Sequence, residues 1–341
     1  MKGEKASINL RTFLRIFVLS AFLLVLVEGG HTALSFAKDV YPSGKITWIV
    51  PYKPGGGYDL LARAMSPYLI KYLREASPGS KGGDIIIRNE AGASGQRAYS
   101  MVYNARPDGY TIGGFDISFA TETLMEKLDF DIEKFNFLLR VNTTTRVLVT
   151  NKTGFANWEE MLKAAKTKEI KIGVGAFGRA QHIGGIIIKE KMKLPFRLIC
   201  LGGTAESMNA LLRGDVQVSL GSEDSLKPLI DAGETRVIAD FTGYGDYPGV
   251  PTSKSLGFPD LGETIEGHRF VIAPPGLPKE ISNQLISAFQ KATSDPEFQA
   301  WVKKSDIPLN LIFGDEADRM AKRIFKFYQQ DLKPILEKYL K

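Results

Sequence analysis

The sequence predicts a two-lobed α/β protein in which each lobe is a mostly parallel sheet flanked by helices. Three observations carry that reading. Short β-branched apolar runs such as Ile46-Thr47-Trp48-Ile49-Val50 alternate with longer amphipathic stretches, the order expected of strand–helix–strand units. The same grammar restarts near residue 146, and 341 residues suffice for two cores of ordinary size. No Pro- or Ser-rich linker separates the halves, so strands rather than a tether should join them.

In the first half, the strand at 46–50 stops at Pro51 and runs into Gly55-Gly56-Gly57. Asp59 is the expected N-cap of the helix that follows. Leu61, Met65, Leu69 and Leu73 recur at the spacing of one helical face, with Leu60, Ala64, Tyr68 and Tyr72 beside them. Pro67 is expected to kink or divide that helix. Ile85-Ile86-Ile87 predicts a second strand, Gly92-Ala93-Ser94-Gly95 a turn into another helix, and Pro107-Asp108-Gly109 a tight turn before a third strand. In the second half, Asn157 is the expected cap of a helix over 158–166, and residues 170–174 form a strand leading to the turn 175–178. A helix over 181–191, a strand at 198–201, a helix capped by Thr204 and a strand at 216–220 complete the set. Phe270-Val271-Ile272-Ala273 reads as a strand in the return crossing, and the C-terminal region as helices interrupted near Pro296 and Pro308.

Composition is that of an ordinary globular chain, 44% hydrophobic and 24% charged. Of the net charge of +6, the first 37 residues carry +2, from Lys2, Lys5, Arg11 and Arg15 against Glu4 and Glu28. A balance near +4 for the remainder is too small and dispersed for nucleic-acid binding and is compatible with an anionic ligand. Basic residues precede an apolar stretch over 16–27, and Ser35 and Ala37 supply an S-x-A cleavage pattern. This reads as a secretory signal peptide at 1–37. The alternative is an uncleaved anchor, for which 12 apolar residues are few.

Three strand-to-helix turns are the candidate functional loops. The first is Pro51-Tyr52-Lys53-Pro54-Gly55-Gly56-Gly57-Tyr58-Asp59. Helix N-termini present unpaired N–H groups and the positive end of a dipole, and so attract anions. Ligands of open parallel sheets sit at the carboxyl ends of strands, and glycines allow close approach. Neither the P-loop nor the G-x-G-x-x-G spacing is present; a plain turn is the alternative. The second is Asn89-Glu90-Ala91-Gly92-Ala93-Ser94-Gly95, and the third is Gly175-Ala176-Phe177-Gly178-Arg179. Arg179 offers a guanidinium that could grip a carboxylate bidentately, or lie solvated at the surface.

Catalytic signatures are absent. Outside the leader, His182 and His268 are the only histidines, and no nucleophile elbow or zinc motif occurs. His182 is expected to serve a helix start, Glu223-Asp224 to cap a helix or else to meet a ligand's ammonium or hydroxyl group, and the single cysteine, Cys200, to be buried.

These stretches together resemble the substrate-binding receptors of tripartite tricarboxylate transporters, the Bug family. ITWIVPYKPGGGYDLLAR over 46–63 is similar to the family's first strand, glycine loop and helix. The turn 89–95, PDGYT at 107–111, residues 128–135, Val250-Pro251-Thr252 with Leu256-Gly257-Phe258-Pro259, and Ala273-Pro274-Pro275-Gly276-Leu277-Pro278 match further motifs in order. The resemblance implies a type II-like periplasmic-binding-protein fold that closes on its ligand, with residues 38–145 and 268–341 as lobe 1 and 146–267 as lobe 2. The missing catalytic and metal motifs read as a non-enzymatic receptor without cofactor or metal, the leader pattern as an exported one, and a monomer is the default. The receptor would capture a small organic acid, a di- or tricarboxylate or an aromatic acid, in the periplasm. It would hand that acid to a two-component membrane permease, or present it to a membrane sensor kinase. The implied contacts are Tyr52, Gly55, Gly56, Gly57, Asp59, Gly92, Ala93, Ser94, Ala176, Phe177, Gly178, Arg179, Gln181 and Thr204. Phe177 and Arg179 replace smaller family residues, which implies a ligand with an added anionic group or a flat apolar part.

Overall fold

The computed structural model describes residues 40–339 apart from 81, 122–126, 244, 306 and 308. The expected signal peptide lies outside the described residues. Two sheets organise the chain, and they share one plan. In the first, β1 (Ile46–Val50) pairs in parallel with β2 (Ile85–Asn89) on one side and β3 (Thr111–Asp116) on the other. β4 (Asn136–Thr144) belongs to the same sheet, but an antiparallel strand, β10 (Gly267–Ala273), is inserted between β3 and β4. In the second sheet β6 (Ile170–Val174) pairs in parallel with β7 (Phe196–Cys200) and β8 (Val218–Ser222). There the inserted antiparallel strand is β5 (Arg146–Asn151), between β8 and β9 (Thr235–Asp240). Each sheet thus receives one strand directly from the other half: β5 follows β4 after Thr145 alone, and β10 returns the chain. Register places Gly267 opposite Thr144, so the two crossings run side by side. This is the two-lobed α/β fold that the residue pattern predicts. A short strand, β11 (Ile312–Phe313), closes the outer edge of the first sheet against β4.

Helices cover the sheets because their apolar stripes demand it. In α1 (Gly57–Ala76), Leu61, Met65, Leu69 and Leu73 are all buried, whereas Leu60 is exposed. Pro67 does not divide α1; the helix runs its full 20 residues with the proline inside it. Asp59 is not the cap either. Gly56 occupies that position and Asp59 lies inside the first turn. Likewise Gly203, not Thr204, precedes α5 (Thr204–Arg213). By contrast Asn157 does cap α3 (Trp158–Ala165), its Oδ1 accepting the Glu160 N–H at 2.9 Å. Ser222 stands at the N-cap of α6 (Glu223–Asp231), so the Glu223-Asp224 pair lies in its first turn, where acids complement the dipole. Cys200 is exposed, because β7 is an edge strand whose only fully buried side chain is Phe196.

One continuous apolar cluster runs from Phe115, Phe135 and Phe270 of the first sheet to Leu148, Ile172 and Leu220 of the second. At its heart Tyr99, of α2 (Gln96–Tyr103), meets Phe115 and Phe119 with ring centroids 4.7 Å apart in each case. This aromatic bed underlies the end of β3. After α7 (Pro259–Ile265), α8 (Lys279–Ser294) and α9 (Pro296–Ser305), the chain forms α10 (Gly314–Phe327), a π turn over Tyr328–Leu332 and a short α11 (Lys333–Leu336). The Phe115→Ala variant is expected to lose about 3–5 kcal/mol of unfolding free energy, the usual cost of emptying a fully buried aromatic site, measurable by chemical denaturation.

Candidate functional site

The first-lobe loop is shaped by one carboxylate. Asp59, almost wholly buried, accepts the Gly55 N–H at 2.9 Å, the Arg63 guanidinium at 2.9–3.0 Å and Asn89 Nδ2 at 3.0 Å. These donors, Arg63 foremost, hold its acidity at a pKa of about 2. Asn89 Nδ2 also donates to the Tyr52 carbonyl at 3.0 Å, which ties the loop to the end of β2. Gly55 has a φ of +85°, a conformation that favours glycine. Asp59 therefore acts on the loop's shape, while Gly55, Gly56 and Gly57 stay exposed. Tyr52 packs on Tyr58 with ring centroids 5.2 Å apart, and burial pushes its phenol pKa upward.

The second turn is unusual. Gly92, Ala93, Ser94 and Gly95 all have positive φ, at 135°, 45°, 53° and 98°. Left-handed geometry at Ala93 and Ser94 costs on the order of 1–2 kcal/mol each. At Gly95 a Cβ would lie 2.7 Å from the Tyr99 ring, so no larger residue fits. The Ser94 hydroxyl accepts a hydrogen bond from Arg179 Nη1 at 2.8 Å. That contact joins the second turn to the third, and so one lobe to the other.

In the third turn Gly178 (φ +74°) donates its N–H to His182 Nδ1 at 3.0 Å. His182 thereby anchors the start of α4 (Ala180–Met192), and burial lowers its pKa. Phe177 is exposed and leans on the His182 ring at 5.0 Å. Ala176 is half-buried. Gln181 and Thr204 bond to each other, Nε2 to Oγ1 at 2.7 Å, and hold the ends of β6 and β7 together.

Around the first loop lies an open cleft of about 620 Å³ lined by residues 52–58 together with Asp116 and Arg269. Neither of the last two was among the expected site residues. Asp116 ends β3, and Arg269 lies directly opposite it on β10. Only the register of the inserted strand reveals the pair; the available signal was an acidic residue at the carboxyl end of a predicted parallel strand. Among the described residues no group of His, Cys, Asp and Glu could hold a metal ion, and no helix is long and apolar enough to cross a membrane.

A family model described as the tripartite tricarboxylate transporter family receptor matches residues 72–333. The chain belongs to this family. Among its relatives, a UPF0065 protein of Bordetella pertussis is 29% identical over 282 residues, covering 81% of this chain and 84% of that one. A TctC solute-binding protein from Polaromonas superposes with a TM-score of 0.74 at 24% identity, over 87% of this chain and 99% of that one. An R. palustris protein, solved with adipate, gives a TM-score of 0.61 at 21% identity, over 87% and 97%. The receptor thus shares its fold with solute-binding proteins.

The receptor's crossings carry a buried ionisable pair. Arg146, just past the first crossing, donates Nε to the Ile265 carbonyl at 3.2 Å and is buried. Glu266 and His268 flank the second crossing, both buried, with Oε2 and Nδ1 3.7 Å apart and without hydrogen-bond partners. His268 Nε2 lies 2.8 Å from the Glu263 carbonyl oxygen. A carbonyl only accepts, so Nε2 carries the proton and Nδ1 is bare. Burial, reinforced by the Arg140 and Arg323 cations, lowers the His268 pKa to about 3. Glu266 is raised to about 8, chiefly by burial and with help from Glu263 and Asp240, against the opposing pull of Arg140 and Arg146.

The signs follow from linkage. Glu266 keeps its proton in the fold while the unfolded chain loses it above about 4.5, so its contribution to stability fades as pH rises from there to about 8. His268 works the other way, its contribution fading as pH falls below about 6.5 towards 3. Unfolding titrations across this range should show Glu266→Gln gaining stability over the parent as pH rises, by up to about 1.4 kcal/mol per pH unit. Parallel curves would mean that Glu266 is charged in the fold.

Proposed function

We propose that this receptor captures a small organic carboxylate between its two lobes outside the inner membrane and delivers it to a two-component permease of the tripartite tricarboxylate type. The lobes are residues 38–145 with 268–341 and residues 146–267, and export follows from the signal pattern at 1–37. The observation that carries the reading is the convergence of glycine-rich strand-to-helix turns from both halves, bridged by the Arg179–Ser94 hydrogen bond. Free amides of Gly56 and Gly57 with the dipole of α1 offer one anion-binding concavity. The left-handed run at Gly92, Ala93 and Ser94 turns successive N–H groups toward a common side and offers another. From the second half, the backbone of Ala176, Phe177 and Gly178 completes the enclosure, with the Phe177 and Tyr52 rings as walls. Arg179 favours the closed arrangement. Adipate in the R. palustris neighbour is the kind of guest this chemistry suits. The receptor acts by binding alone, as a monomer: closure over the ligand shifts a hinge equilibrium that the permease reads.

A thermal-shift screen of the mature protein against small organic acids tests the reading. A binder present at 100 times its dissociation constant stabilises by about 2.7 kcal/mol. Silence across acids with a response to sugars or cations would overturn the ligand class. For the best acid, Arg179→Ala is expected to weaken affinity about three- to tenfold, the usual worth of one hydrogen bond with a charged donor on an exposed surface. Unchanged affinity in calorimetry would show that the interlobe bond does not contribute to closure.

A further inference from the structure

The floor of the first-lobe cleft carries two opposite charges that do not consume one another. As antiparallel partners, Asp116 and Arg269 project from the same face of the sheet. Yet the Arg269 guanidinium lies over the Tyr58 ring, 5.2 Å from its centroid, and its buried Nε has no hydrogen-bond partner. Asn142, its partner on the other side in β4, has an equally unpartnered buried Oδ1. Even were these two to meet, the terminal nitrogens would remain. Of these, Nη1 is placed next to the start of α1: a Cβ at Gly57 would sit 3.6 Å from it. Guanidinium and helix N-terminus therefore adjoin, and a carboxylate can satisfy both.

Asp116 has the complementary character. The Ser118 N–H and hydroxyl both donate to Oδ1, at 3.0 and 2.7 Å. Oδ2 has no donor among the described residues, although the side chain lines the cleft. An anionic acceptor at the floor of an anion-binding cleft disfavours a plain carboxylate beside it. It favours a guest that brings a hydrogen-bond donor.

We propose that Asp116 and Arg269 set the receptor's ligand class: an acid with a carboxylate for Arg269 and the start of α1, and a hydroxyl or amino group on the adjacent carbon for Asp116. This rests on the carboxylate reading given above and narrows it.

Calorimetric titration of the mature protein with succinate, glutarate and adipate, each beside its 2-hydroxy and 2-amino counterpart, tests it. At the chain length that fits, one substituted acid should bind about tenfold or more tightly than the unsubstituted one, the usual worth of a hydrogen bond to a charged group. Asp116→Asn keeps an oxygen for Ser118 but turns the other carboxylate oxygen into a donor, which a ligand ammonium cannot accept but a hydroxyl can, so it should abolish a 2-amino preference; Asp116→Ala, which removes both oxygens, should bring either ratio to about one in a folded protein. Arg269→Gln should weaken the whole series together. Equal binding of substituted and unsubstituted acids by the parent, a 2-amino preference that survives Asp116→Asn, or any preference that survives Asp116→Ala, would overturn the proposal while leaving the carboxylate reading intact. Failure of every acid to bind would remove both.

Discussion

The Asp59 carboxylate is the tie on which the first-lobe loop depends. Three consecutive glycines let a backbone approach a guest, but glycine loses more freedom on ordering than any other residue. Left alone, such a loop would have to be ordered at the ligand's expense. Here a buried anion gathers the Gly55 N–H, the Arg63 guanidinium and the Asn89 amide before any guest arrives. Because Asn89 also reaches the Tyr52 carbonyl, the same tie fixes where the loop sits relative to β2. Preorganisation is what makes exposed amides effective as an anion site.

Much of this was legible in the residues. The strand–turn–helix order named all three loops, and the stripe from Leu61 to Leu73 is the buried face of α1. The tight turn at 107–109 has Gly109 at a φ of +81° and the Tyr110 N–H bonded to Asp108. What escaped has physical causes. A glycine has no side chain to advertise a cap, so the nearest Asp or Thr draws the assignment, although the cap positions belong to Gly56 and Gly203. Cys200 lies at the outer end of an edge strand, where an apolar run does not imply burial on both faces. Asp116 and Arg269 become neighbours only because β10 returns antiparallel beside β3, and no local pattern encodes that register.

The crossings unite mechanics and electrostatics. Thr144 and Gly267 face each other in the first sheet, so both connections between the sheets lie along one line. Bending there requires little change elsewhere, since each lobe keeps its own hydrogen-bonded sheet. At that line sit a carboxyl group favouring its proton and an imidazole refusing one, neither of them hydrogen-bonded at the facing atoms. A well-packed apolar pair would be cheaper in stability.

The C-terminal segment adds a third link of a different kind. The Arg323 guanidinium of α10 pairs with Glu263, and Tyr328 donates to the Thr264 carbonyl at 3.0 Å. Further on, the Tyr339 hydroxyl bonds Glu190, and Lys189 lies over the Tyr339 ring at 5.4 Å. The segment therefore leaves the edge of the first sheet at β11 and ends strapped to α4, the helix that carries the third turn at its other end. Both moorings of this strap, at Glu263–Thr264 and at Glu190, belong to the second half, so the first sheet is already fastened to that half at Arg323 and Tyr328, ahead of the π turn at Tyr328–Leu332.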